Sequence, residues 1–204
     1  NQDFKSIYAM VPSVIALLLM FIPAVLMAVG VVREKELGSI TNLYVAPVTR
    51  IEFLIGKQLP YVGLGLINFV LMVVMALFWF DVPMRGNPLT LVVGAFLFVF
   101  ATTGLGLLIS SFTQTQIAAL FGTAIGTMVP ATLFSGMMQP VSSLEGGGML
   151  LGYGFPASYF LTISVGTFTK GLTFSDLTAS FLALLPAGPI LIAFSVFLLA
   201  KQER

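Results

Sequence analysis

The stretch Gly30-Val31-Val32-Arg33-Glu34-Lys35-Glu36-Leu37-Gly38-Ser39-Ile40-Thr41-Asn42-Leu43 decides the fold. It opens a charged island, residues 33–58, set between two long apolar runs at 8–32 and 59–80. A helix needs about 20 apolar residues to cross the hydrocarbon core of a bilayer. Three more runs qualify, at 89–110, 117–138 and 177–200, and no Asp, Glu, Lys or Arg falls inside any of the five. The chain reads as an all-α polytopic membrane protein with five spans in a single domain over residues 1–204.

Composition agrees. Of 204 residues, 58% are hydrophobic and 8% charged, against about 25% charged in a soluble domain. So few charges cannot cover a water-exposed surface, so lipid is the solvent for most of the chain. Net charge is +1, which provides no basic field for nucleic acid. The chain has no cysteine and no histidine. That removes disulfides, thiol nucleophiles, the usual general base and the commonest metal ligand.

Lys/Arg bias sets orientation. Placing 33–58, 111–116 and 201–204 on one side puts Arg33, Lys35, Arg50, Lys57, Lys201 and Arg204 there. Lys5, Arg85 and Lys170 fall on the other. The bias predicts an external N-terminus and a cytoplasmic C-terminus. The opening Asn1-Gln2-Asp3-Phe4-Lys5 is not a signal peptide. With the odd span count, it suggests a chain that begins inside a longer polypeptide. Segment 139–176 is long, mostly apolar and rich in Gly, Pro and Ser. A sixth span within 147–168 would be broken at Gly154-Phe155-Pro156. Two short re-entrant helices are preferred, packed against the spans that cover their backbone.

The island has its own punctuation. Gly38 is placed to end the first helix in a left-handed cap, and Ser39 to cap a new short helix. Ile40, Leu43 and Tyr44 share one face of that helix, which Pro47 stops. Thr49-Arg50-Ile51-Glu52 is a capping box that starts a third, interfacial helix. Lys57 then marks the entry to the second span. The apolar triplet either tucks back against the bilayer or docks into a groove on a soluble partner, its charges orienting the contact. Periodicity does not separate the two.

At these residues the sequence resembles the transmembrane domain of ABC-2 type transporters. The resemblance rests on Glu34, Glu36, Gly38-Ser39, Leu43, Pro47 and Gly56-Lys57 in the loop. It continues in Phe134-Ser135-Gly136-Met137-Met138-Gln139-Pro140 and Phe155-Pro156-Ala157-Ser158-Tyr159-Phe160. Residues 33–43 are similar to the C-terminal membrane part of the bacterial ribosome-associated ABC ATPase. The family fold has six helices, so the resemblance implies that a first helix is absent from these residues. It implies a coupling helix at 39–45 seated on a nucleotide-binding domain, fused or separate. Glu34, Glu36, Gly38, Ser39, Ile40, Thr41, Leu43 and Tyr44 would make that contact. Ser135, Gly136, Pro140, Pro156 and Tyr159 would cap the pathway on the far side.

The resemblance further implies a multi-pass protein of the bacterial inner membrane, a second transmembrane half, and contact with the ribosome through a fused ATPase. The function it implies is the permease part of an ATP-driven exporter of hydrophobic or amphipathic cargo. ATP and magnesium would sit on the associated ATPase. This chain has no phosphate-binding Gly-x-x-x-x-Gly-Lys-[Ser/Thr] loop, since Gly56-Lys57 is followed by Gln58. No pair of carboxylates lies inside a span, which argues against proton-driven transport. The alternative is a membrane anchor for a soluble ABC ATPase, without cargo. An enzyme acting within the membrane is disfavoured, because no catalytic constellation is available.

Three smaller features carry two readings each. Gly122 and Gly126 form a G-x-x-x-G, read first as packing within the fold and second as a dimer contact. Thr102, Thr103, Thr123, Thr127 and Ser135 satisfy helix carbonyls or line a pathway. Pro23, Pro130, Pro186 and Pro189 kink spans or form a hinge.

Overall fold

The computed structural model describes residues 6–38, 50–138, 140–143 and 145–202, with backbone alone at 6, 50, 51, 53 and 199–202. Among them there is no strand. The helices are α1 (Ser6–Glu36), α2 (Arg50–Phe78), α3 (Pro88–Phe112), α4 (Gln116–Phe134), α5 (Gly147–Gly154), α6 (Pro156–Val165) and α7 (Thr178–Gln202). A π-helical turn, Gly166–Lys170, extends α6. Five helices are long and apolar enough to cross a bilayer: α1, α2, α3, α4 and α7. The chain is a multi-pass membrane protein. α5 and the α6 segment meet at a 67° bend, and taken together they would make a sixth crossing.

Local chemistry explains the boundaries. Asn87 caps α3, its Oδ1 accepting the Leu89 N–H at 2.9 Å, with Pro88 as the first helical residue. Thr115 caps α4 through the Ala118 N–H at 3.2 Å. α4 ends at Phe134, short of the 138 expected, because Gly136 turns to φ +92°. Asp176 closes the turn before α7, accepting from the Thr173 N–H at 2.9 Å and from its hydroxyl at 2.7 Å. Those two bonds hold its carboxyl below the usual carboxylate range.

The island departs from expectation at its second half. Among the described residues no separate interfacial helix precedes the second span; α2 runs unbroken from Arg50 to Phe78 with Pro60 inside it. Leu54 and Gln58, one turn apart, both face the bundle instead of the headgroups. Leu54 packs with Met27, Val31 and Leu107. Gln58 is fully buried, and its Nε2 donates to Phe100 O at 2.9 Å and Thr103 Oγ1 at 2.8 Å. These contacts hold the first turns of α2 in line with the rest.

α1 and α3 are the inner pair, with about half of each buried, and α2, α4, α6 and α7 surround them. Small residues set their spacing. A Cβ on Gly106 would lie 2.2 Å from the carbonyl oxygen of Ala24 in α1. Gly65 of α2 fits likewise between Val99 and Pro23. By contrast, a Cβ on Gly122 would meet side chains alone, Ile109 at 3.6 Å and Thr113 at 3.9 Å, and one on Gly126 would meet Ile109 at 3.4 Å. The G-x-x-x-G of α4 is therefore in ordinary contact with α3, and the close approach is at Gly106. Further along α3, Phe98 stacks on Phe160 of α6, centroids 4.4 Å apart. The outer helices turn apolar stripes outward, such as Leu64, Ile67, Leu71, Met75 and Phe78 of α2.

Gly106→Ala should destabilise the bundle by about 1–3 kcal/mol, the usual range for overpacking. The helix-propensity gain of Ala over Gly, about 1 kcal/mol, does not offset a clash with backbone. Gly126→Ala, whose added methyl meets only a side chain at ordinary contact distance, should be neutral to stabilising by up to about 1 kcal/mol. Thermal unfolding in a neutral detergent checks both, and equal midpoints would mean that α1 and α3 are not so close.

Candidate functional site

The charged island leaves the bundle at the end of α1. Leu37 donates its N–H to Arg33 O at 3.0 Å and Gly38 to Lys35 O at 3.1 Å. Gly38 then takes φ +70°, the left-handed backbone in which a helix-ending glycine is at ease. Ser39, Ile40, Thr41, Leu43 and Tyr44, the expected docking helix, lie outside the described residues, as do Pro47 and Thr49. What the structure describes is how the two ends of that segment are held.

Three consecutive residues of α1 reach three different helices. Glu34 forms an ion pair with Lys57 of α2. Lys35 donates from Nζ to Ser110 O of α3 at 2.5 Å. Glu36 accepts the backbone N–H of Gln116, the first residue of α4, on Oε1 at 2.9 Å, and the Gln116 side-chain amide on Oε2. Successive helical residues point about 100° apart, so a run of three naturally fans out toward three neighbours. The Glu36 contact also sets a carboxylate against the positive end of a helix. The exposed Glu36 contact is individually weak, whereas the Lys57 side chain is only 11% exposed; together the three contacts fix the direction in which α1 ends.

Glu34 and Glu36 were expected to flank a partner contact. Both are engaged within the chain. Sequence reasoning missed Lys57 as the partner of Glu34, Ser110 as that of Lys35 and Gln116 as that of Glu36. The one available signal was the polar run Ser111–Gln116, a short connection that must bring the start of α4 to the same end of the bundle as the island.

At the opposite end, a cavity of about 630 Å³ is bordered by α1, the segment after α4, α6 and the start of α7. Ser135, Gly136, Pro140 and Tyr159 line it together, although 24 positions separate the first from the last. Pro156 does not. It begins α6 and, with Tyr159, borders a second cavity of about 400 Å³ toward Leu105 and Pro186. Gln139, between these residues, lies outside the description. The Ser135 hydroxyl donates to Ala131 O, and the Tyr159 hydroxyl to Tyr153 O at 2.5 Å.

The other candidate pathway hydroxyls are spent on helix carbonyls. Thr123 donates to Ala119 O at 2.7 Å and Thr127 to Thr123 O at 2.7 Å. Both are fully buried on the face of α4 that includes Ala119 and Ala131. Thr102 and Thr103 donate to Val99 O at 3.0 and 2.8 Å. Among the described residues there is no group of His, Cys, Asp or Glu that would hold a metal ion.

The profile of the ABC-2 family transporter proteins matches residues 1–197. The chain belongs to this family. It is 30% identical over 171 residues to the probable multidrug ABC transporter permease YbhS of Escherichia coli, covering 84% of this chain and 45% of that one. The corresponding figures for the probable multidrug ABC transporter permease YbhR of Escherichia coli are 29%, 71% and 38%. ABC transporter G family member 20 of Dictyostelium discoideum is 24% identical across 100% of this chain and 28% of its own. The ABC-2 chain thus spans less than half the length of these curated relatives. No solved structure gives a significant match.

With no native cysteine, the clamp is open to direct test. Glu36→Cys with Gln116→Cys should crosslink in high yield with a short bismaleimide. Glu36→Cys with Phe134→Cys should not, since the length of α4 sets them about 27 Å apart. Equal yields would refute the joining of α1 to the start of α4.

Proposed function

We propose that the chain is the membrane-spanning permease part of an ABC-2 type, ATP-driven exporter. The family match over residues 1–197 carries this reading. The clamped end of α1 supports it. Residues 39–49 connect α1 to α2 in the sequence, and these two helices are joined through Glu34 and Lys57. A force applied to that segment would pass to α1 and α2 together, and through Lys35 and Glu36 to α3 and α4.

In this reading the short helix at 39–45 seats on a nucleotide-binding domain, and ATP with magnesium binds there. ATP drives a conformational change only if the ATPase domains bind its two states differently; pairing of two such domains provides that difference. A second transmembrane half completes the pathway. The protein resides in the bacterial inner membrane, with the charged island and the C-terminus on the cytoplasmic side. The cargo is hydrophobic or amphipathic, in keeping with the apolar lining of the spans and the mixed lining of the larger cavity.

The test places a cysteine by Thr41→Cys and probes crosslinks to cysteines set along the cleft of the cognate ATPase domain, with and without ATP. A nucleotide-dependent crosslink is expected. One indifferent to nucleotide would indicate an anchor without cargo. No crosslink anywhere along the cleft would place the island on the bilayer and overturn the coupling role.

A further inference from the structure

The larger cavity has a charge pattern that the family does not explain. Lys170 is the one charged side chain among its described lining residues. Among the described residues no carboxylate shares the wall. Asp176, six residues on, is not part of the lining and is occupied by Thr173. The position of Lys170 is built in. It is the last residue of the π-helical turn, which Gly171 closes at φ +66° with its N–H bonded to Gly166 O.

A second donor shares the lining. Ser180, in the first turn of α7, is only 9% exposed and makes no side-chain hydrogen bond to any described residue. Ser13, Ser135, Ser158 and Thr162 differ, because each donates its hydroxyl to a backbone carbonyl. The Ser180 oxygen is not itself enclosed, so it is open to the cavity and can donate to a molecule there. The remaining wall includes Met137, Leu161, Val165 and Leu172. A cavity of about 630 Å³ is the size of a small-ligand site.

We propose that this cavity binds an anionic amphiphile, its phosphate, sulfonate or carboxylate head on Lys170 and Ser180 and its chain along Met137, Leu161, Val165 and Leu172. The head exchanges water for a charge-assisted bond to the ammonium, and the chain leaves water for an apolar wall. The site stands whether the occupant is exported or is a resident membrane lipid. It does not require the ATP-driven reading, and its test uses no nucleotide, so the two can fail separately.

The experiment measures equilibrium binding of radiolabelled dodecyl phosphate and dodecanol to the purified protein in neutral maltoside micelles. Dodecyl phosphate should bind the tighter of the two. Lys170→Gln should weaken it about tenfold or more, and Ser180→Ala about threefold, with dodecanol unchanged. Lys170→Arg should retain binding, showing that loss in Lys170→Gln is loss of charge and not of fold. Displacement by excess phosphatidylglycerol would identify a lipid site; resistance to it would identify a single-chain solute. Both keep the proposal. Dodecyl phosphate bound no better than dodecanol, or bound unchanged by Lys170→Gln, would overturn it.

Discussion

The carbonyl of Ala24 lies where a Cβ on Gly106 would have to be, and this contact sets the spacing on which the bundle is built. Lipid gives no hydrophobic drive for helices to associate, so packing at close range has to hold them. Small residues are what allow it. Gly106 brings α3 onto α1, and Gly65 lets α2 come in beside Pro23 and Val99. Thr123 and Thr127 keep the buried face of α4 small while turning their hydroxyls back to their own helix. Larger side chains, such as Ile67 and Phe78, are left to the lipid-facing stripes.

The same spacing positions both candidate functional regions. Because α1 is central, its last turn emerges among the ends of α2, α3 and α4, within reach of all three. Glu34, Lys35 and Glu36 each take one of them. A peripheral helix ending in the same sequence would have fewer neighbours to bind, and its charges would point into water. At the other end, α4 stops early at Gly136, α6 begins at Pro156, and α1 and α7 form the remaining walls. The shortness of α4 is what leaves room for the cavity. Whatever moves the charged end is joined to the cavity's walls by α1 and α4 themselves, both of which run from one region to the other.

Hydrogen bonding inside the bundle takes two main forms. Most buried polar side chains either bond a carbonyl of their own helix, as Thr102, Thr127 and Ser195 do, or tie two helices, as Gln58 ties α2 to α3 and Ser164 reaches Pro12 O of α1 at 2.9 Å; Ser180 and the Asn68 side-chain nitrogen do neither. Hydroxyls of the first kind say nothing about a pathway, and this is why the threonines of α4 are poor pathway candidates despite their position.

The sequence by itself determined the solvent, the helical class, the five long spans, the lack of a Gly-x-x-x-x-Gly-Lys-[Ser/Thr] motif and the family. These are local or compositional properties: a run of apolar residues needs no partner to be recognised, and neither does Gly38 at the end of a helix. Only the tertiary structure decided which glycine brings helices together. Gly122 and Gly126 have the familiar spacing and Gly106 does not, yet contact depends on the facing helix and not on spacing. It also decided that Glu34 and Glu36 are engaged within the chain, because Gln116 lies 80 positions from Glu36 and no local pattern links them. Pro156 was set apart from Ser135, Gly136 and Pro140 for the same reason: a cavity is a property of the space between elements, and that space exists only once the helices are packed.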